Sequence, residues 1–103
     1  MKIITRDLNR PRVQIRPGEM LLEEFLRPGE LTQVEAARRM GISLNRLNEI
    51  VRGRRAITAD TALRLAALFK MSPEFWMNLQ ASWDLHQARL AMKKVEAAKS
   101  PRE

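Results

Sequence analysis

Residues 32–55, TQVEAARRMGISLNRLNEIVRGRR, constrain the fold more than any other stretch of this chain. They read as two short helices joined at a glycine. Thr32 and Glu35 stand at capping-box spacing, where each side chain can satisfy a backbone N–H of the other. Val34, Ala37 and Met40 are spaced to face inward. Gly41 falls where a helix end needs a left-handed residue, a conformation that glycine adopts cheaply. Ser43 then caps a second helix with Leu47, Ile50 and Val51 inward, and Gly53 ends it. A tight turn between two helices of this kind is how a small domain places a helix in the major groove of DNA.

The flanking sequence has the same period. From about residue 19 onward apolar residues recur at helical spacing and strand-like alternation is scarce. A first helix is expected from Pro17-Gly18-Glu19, with Met20, Leu21, Phe25 and Leu26 inward and Pro28-Gly29 as its stop. The Thr58 cap opens a fourth helix, whose stripe is expected to be Leu63, Ala66 and Ala67, widened by Leu65, Leu68 and Phe69. Ser72-Pro73-Glu74 opens a fifth, carrying Phe75, Trp76, Leu79 and Trp83. The expected fold is all-α, a five-helix domain. Residues 1–15 would form a partly ordered basic arm, 16–95 the helix-turn-helix and dimerisation domain, and 96–103 a flexible tail.

At 103 residues the chain has room for one modest core. It has no cysteine, which excludes disulfides, thiolate zinc sites and cysteine nucleophiles. No signal peptide is visible, and no apolar run approaches the ~20 residues of a membrane span, so a cytoplasmic protein without membrane contact is expected. The net charge of +7 points to a polyanionic partner. Its distribution is uneven. Residues 17–37 are acidic, whereas 38–55 hold six arginines against one carboxylate, Glu49. The basic block therefore coincides with the two-helix motif.

Once Leu47, Ile50 and Val51 are assigned to the core, Leu44, Asn45, Arg46, Asn48, Glu49 and Arg52 remain on the outside of the third helix. Arginine pairs bidentately with guanine, asparagine with adenine, and an apolar side chain can touch the thymine methyl. The expected base readers are Asn45, Arg46 and Asn48, with Leu44 as a further contact. Gln33, at a helix start, is expected on a phosphate, joined by Ser43, Arg52, Arg54 and Arg55. Catalysis finds no foothold. His86 is the only histidine, Glu19, Glu23 and Glu24 read as a solvated face, and Gly53 belongs to a helix stop rather than a phosphate loop. No cofactor, metal or small-molecule substrate is expected.

The segments RPGEMLLEEFL, TQVEAARRMGIS, RLNEIVRGRRAITADTALRLA and MSPEFWMNLQASWDL resemble the HigA family of antitoxins, within the Cro/C1-type (lambda repressor-like) helix-turn-helix group. The resemblance spans about residues 16–90, and ITADTALRLA followed by SPEFWMNLQ is its most specific part. Arg16 precedes Pro17-Gly18 where the family often shows histidine. The resemblance implies a homodimer that binds a palindromic operator in its own promoter and neutralises a HigB-like, mRNA-cleaving toxin protein. It implies DNA contacts at Gln33, Ser43, Asn45, Arg46, Asn48 and Arg54. The fifth helix is the expected dimer surface, through Trp83, Leu85 and Leu90. A stand-alone phage-type repressor without a toxin, and a protein-interaction module that no longer binds DNA, are the alternatives.

Overall fold

The structure is a computed structural model that describes residues 14–99. The expected basic arm therefore lies mostly, and the expected tail from residue 100 on, outside the described residues. Helix α1 spans Pro17–Leu21 and passes directly into a π-helical turn, Leu22–Leu26. Four α-helices follow: α2 (Gln33–Met40), α3 (Leu44–Val51), α4 (Ala59–Phe69) and α5 (Pro73–Lys99). Among the described residues there is no strand, and the fold is the expected all-α one. The α5 helix continues through Lys99, past the expected domain end at residue 95.

The π turn has a packing reason. Leu21 and Leu26, five residues apart, are both fully buried. Ordinary α-helical winding would send them to different sides of the helix. Closing the turn with an i→i−5 bond, from Arg27 N–H to Leu22 O at 3.0 Å, brings both onto the core side. It also seats Phe25 among Phe69, Phe75 and Trp76, with ring centroids 5.0–6.1 Å apart.

The core gathers Leu21, Leu26, Leu47, Ile50, Ile57, Leu65 and Trp76, each fully buried. Two expected stripes are displaced. Val34 is 63% exposed, and Ala36 takes its place beside Ala37 and Met40. Leu63 is 61% exposed and Ala67 is exposed too, while Thr61, Ala62 and Leu65 are buried. In both helices the smaller residues, Ala36 on α2 and Thr61 and Ala62 on α4, are the buried ones, and the larger Val34 and Leu63 turn outward.

Contacts around α3 fix its position. A Cβ on Gly18 would lie 2.0 Å from the Ile50 carbonyl oxygen, so the start of α1 abuts the last turn of α3. Arg16 Nη1 donates to Val51 O at 2.7 Å, placing a cation at that helix's C-terminal end. In the connection that follows α3, the Ile57 N–H donates at 2.9 Å to Oε1 of buried Gln80 on α5, whose Nε2 donates to Asp84 at 2.9 Å.

Candidate nucleic-acid interface

The two-helix unit is built by local chemistry. Thr32 Oγ1 accepts the Glu35 N–H at 3.1 Å. The reciprocal half of the expected capping box is not made, because the Glu35 carboxylate is taken by Arg38 and Arg39. Hydrogen bonds from those two arginines hold the Glu35 carboxyl down to about 2. Gly41 has φ +73°, and the Ile42 N–H reaches back to Ala37 O at 3.1 Å, closing α2 in a left-handed cap. Ser43 Oγ accepts the Arg46 N–H at 3.0 Å and starts α3. Gly53, at φ +81°, ends it, with Arg54 N–H on Glu49 O at 2.8 Å.

Leu47, Ile50 and Val51 are buried as expected, which determines what points outward. At roughly 100° per residue, Asn45, Glu49 and Arg52 lie opposite that buried stripe, with Asn48 and Leu44 beside them. Asn45, Leu44 and Arg52 are exposed; Asn48 is half-buried because its Nδ2 donates to Gln33 Oε1 at 3.3 Å. That bond ties the first residue of α2 to the outer surface of α3. Gln33, Ser43, Leu44, Asn45 and Asn48 are thus gathered near the N-terminal ends of α2 and α3, while Arg52 lies on the same outward side at the C-terminal end of α3.

Arg46 is placed differently. It lies on the flank of α3, where Nη2 donates to Asp60 Oδ2 at 2.6 Å and to Thr61 Oγ1 at 2.8 Å. Asp60 also accepts from Arg64 Nε at 3.0 Å, and Arg64 Nη1 donates to Met40 O at 2.7 Å. The four residues make a brace joining the end of α2, the flank of α3 and the start of α4. Hydrogen bonds from Arg46 and then Arg64 push the Asp60 carboxyl below its ordinary range. Arg55 is also committed, its Nη2 lying 2.6 Å from Glu49 Oε1. Arg52 and Arg54 are exposed and have no side-chain partner among the described residues, so the basic block offers fewer free cations than its composition suggests.

The three residues expected at a dimer surface do not share one. Trp83 is half-buried and lines a cavity of about 200 Å³ with Arg16, Arg54, Gln80 and Asp84. Leu90, one heptad on, lies on the same side of α5 beyond the body. Leu85, 53% exposed, is rotated from both by roughly 140–160°. His86 is half-buried with its ring 5.8 Å from that of Trp83. Among the described residues no group of three His, Asp or Glu is arranged to hold a metal ion, and no helix is long and apolar enough to cross a membrane.

Residues 22–76 match the family model described as helix-turn-helix. Virulence-associated protein I of Dichelobacter nodosus is 47% identical over 74 residues, covering 72% of this chain and 68% of that protein. Antitoxin HigA-1 of Vibrio cholerae is 38% identical over 78 residues, covering 76% and 73%. The chain belongs to the HigA family of helix-turn-helix antitoxins. The solved Pseudomonas aeruginosa antitoxin HigA with the higBA promoter is similar at a TM-score of 0.77 and 39% identity, covering 88% of this chain and all of that one. The antitoxin GraA in complex with its operator is similar at 0.75 and 34% identity, covering 94% and 98%.

The brace and the Glu49–Arg55 pair were not foreseen from the sequence. Asp60 is fourteen residues from Arg46, and nothing local pairs them. Glu49 had a visible signal, since it stands one turn after Asn45 on the same outward side.

Proposed function

We propose that this HigA-family chain is the antitoxin and repressor of a toxin–antitoxin operon: a homodimer that binds operator DNA in its own promoter and neutralises a HigB-like, mRNA-cleaving toxin protein. The observation that carries DNA binding is the outward row of α3, where polar side chains stand clear of a buried apolar stripe and Gln33 is bonded to Asn48. Asn45 and Asn48 are the adenine-reading candidates and Leu44 can meet a thymine methyl. Gln33, Ser43, Arg52 and Arg54 are the phosphate contacts, with Arg55 joining them from its place beside Glu49. Two relatives support the reading, one solved with its promoter and one with its operator. Arg46, held by Asp60 and Thr61, acts here as a positioning residue that sets the angle of α3.

Dimerisation belongs to the outer side of α5. Ala81, Leu85, Ala88, Met92 and Val95 follow one another at spacings of four, three, four and three, all exposed. That is the spacing of a coiled-coil seam. A dimer would offer two copies of α3 to half-sites about one helical turn, or 34 Å, apart.

Two measurements test the proposal. Gel-shift titration of the full chain on the DNA upstream of its own gene is expected to give sequence-specific binding that weakens as salt rises. Co-expression with the neighbouring reading frame is expected to yield a stable complex and to relieve that product's toxicity. A shift without a complex or rescue selects the stand-alone repressor, and a complex without a shift selects the interaction module.

A further inference from the structure

We infer that Glu49 is a base-specifying residue of α3, reading the exocyclic amine of a cytosine. The inference rests on the DNA-binding reading above and goes beyond it, because a carboxylate is the least expected side chain on a surface that meets phosphates.

Three observations place it there. Glu49 lies one helical turn after Asn45 and opposite the buried Leu47, Ile50 and Val51, so it shares the side of α3 turned away from the core. Its charge is neutralised in place: Arg55 Nε and Nη2 lie 2.8 and 2.6 Å from the same oxygen, Oε1. The ion pair gives the surface no net negative charge to repel DNA. Oε2, the other oxygen, has no hydrogen-bond partner among the described residues, although the side chain is held by the arginine at its neighbour.

A fixed, acceptor-only oxygen on the helix surface has one good partner in the major groove. Cytosine presents its N4 amine as a donor, whereas guanine presents N7 and O6 and thymine presents O4, all acceptors. The carboxylate therefore rewards cytosine and is repelled by the acceptor edges of guanine and thymine, which is how a single group selects for one base and against others. Adenine also offers an amine, but beside the acceptor N7, where an amide fits better than a carboxylate. Arg46 would in turn carry no base preference, because its guanidinium is committed to Asp60 and Thr61.

The test is a binding selection on a double-stranded DNA pool with randomised bases, using the full chain and its Glu49→Ala, Glu49→Gln and Arg46→Ala variants. Circular dichroism checks that each variant is folded. The parent chain is expected to prefer cytosine at one position of each half-site by roughly 5- to 150-fold. Glu49→Ala is expected to lose that preference, and Glu49→Gln to move it toward adenine. Arg46→Ala is expected to keep every base preference while binding all sequences more weakly. If Glu49→Ala keeps the parent's preference at every position, the inference is overturned while DNA reading by the protein stands. A parent chain that selects no sequence at all would overturn both.

Discussion

The α2–α3 unit and the α5 helix both carry apolar residues that must be covered, but they are completed in opposite ways. Every end of α2 and α3 is closed within the chain, by Thr32, Gly41, Ser43 and Gly53, and the Arg46–Asp60–Arg64 brace fixes their mutual angle. What remains outward on α3 is mostly polar and stands on a backbone closed at both ends, which suits a ligand as stiff as duplex DNA. The α5 helix is anchored only through its first half, by Trp76 and Gln80. From Ala81 onward apolar residues lie on two sides of it, with nothing among the described residues covering either beyond the body. A solitary helix is marginal in water, so the outer half of α5 is built for a surface that something else supplies.

The contrast breaks first at its anchor. Trp76→Ala should cost about 3–5 kcal/mol, because it empties a fully buried site that packs against Phe25 and Phe75. Leu85→Ala, on the same helix and equally apolar, should change the stability of the unassembled chain by less than about 0.5 kcal/mol. Urea unfolding at concentrations below any association measures both. Equal losses would mean that the two halves of α5 are packed alike.

A smaller effect sharpens the other side. Gly18→Ala drives a methyl into the Ile50 and Val51 carbonyls and should cost about 1–3 kcal/mol, read from the thermal midpoint. Because the collision is with the last turn of α3, operator affinity should fall in the same variant. Gly41→Ala tests the unit at its turn. The new Cβ would adopt φ +73° and lie 3.1 Å from Arg64 Nη1, for a cost of roughly 1–2 kcal/mol.

What was legible in the sequence followed from how local each feature is. Thr32, Ser43, Thr58 and Ser72 cap their helices as their spacing suggests, since a cap needs only the next three residues. The core stripe of α3 was equally plain, because Leu47, Ile50 and Val51 have no apolar competitor on that helix except Leu44 at its start. In α2 and α4 two overlapping stripes competed, and size misled: Val34 and Leu63 are the larger residues, but Ala36 and Ala62 are the ones buried in the core. The π turn and the Arg46–Asp60 pair depend on partners brought in by the tertiary fold, and no local pattern announces them.

The brace and the Glu35 cluster predict a modest acid sensitivity confined to this unit. Asp60 and Glu35 both have carboxyls depressed by arginine hydrogen bonds. A depressed carboxylate stabilises the fold fully above its unfolded value and loses that contribution as pH falls through the folded one. For Glu35 the window runs from 4.5 down to about 2. Both groups are open to solvent, so the effect should be small. Stability measured between pH 6 and pH 3 should fall less steeply in Asp60→Asn than in the parent chain. An unchanged slope would mean that the brace carries no charge-dependent stability.

The smallest expected effect on the folded chain is the most telling about α5. Met92→Glu places a charge in the exposed seam and should leave the unassembled chain's stability within about 0.5 kcal/mol. Its effect should appear only on assembly, with light scattering giving a dimer for the parent chain and a monomer for the variant. Leu90→Glu is the matched control, because Leu90 lies on the other side of α5 among Gln87, Lys93 and Lys94, and it should leave the dimer intact. DNA then separates the two regions. Losing the dimer removes the gain from holding two half-sites at once, so Met92→Glu should weaken binding to a two-half-site operator but not to a single half-site. If Leu90→Glu dissociates the dimer and Met92→Glu does not, the side of α5 continuous with Trp83 is the dimer surface, and the seam through Leu85 is left for a different partner.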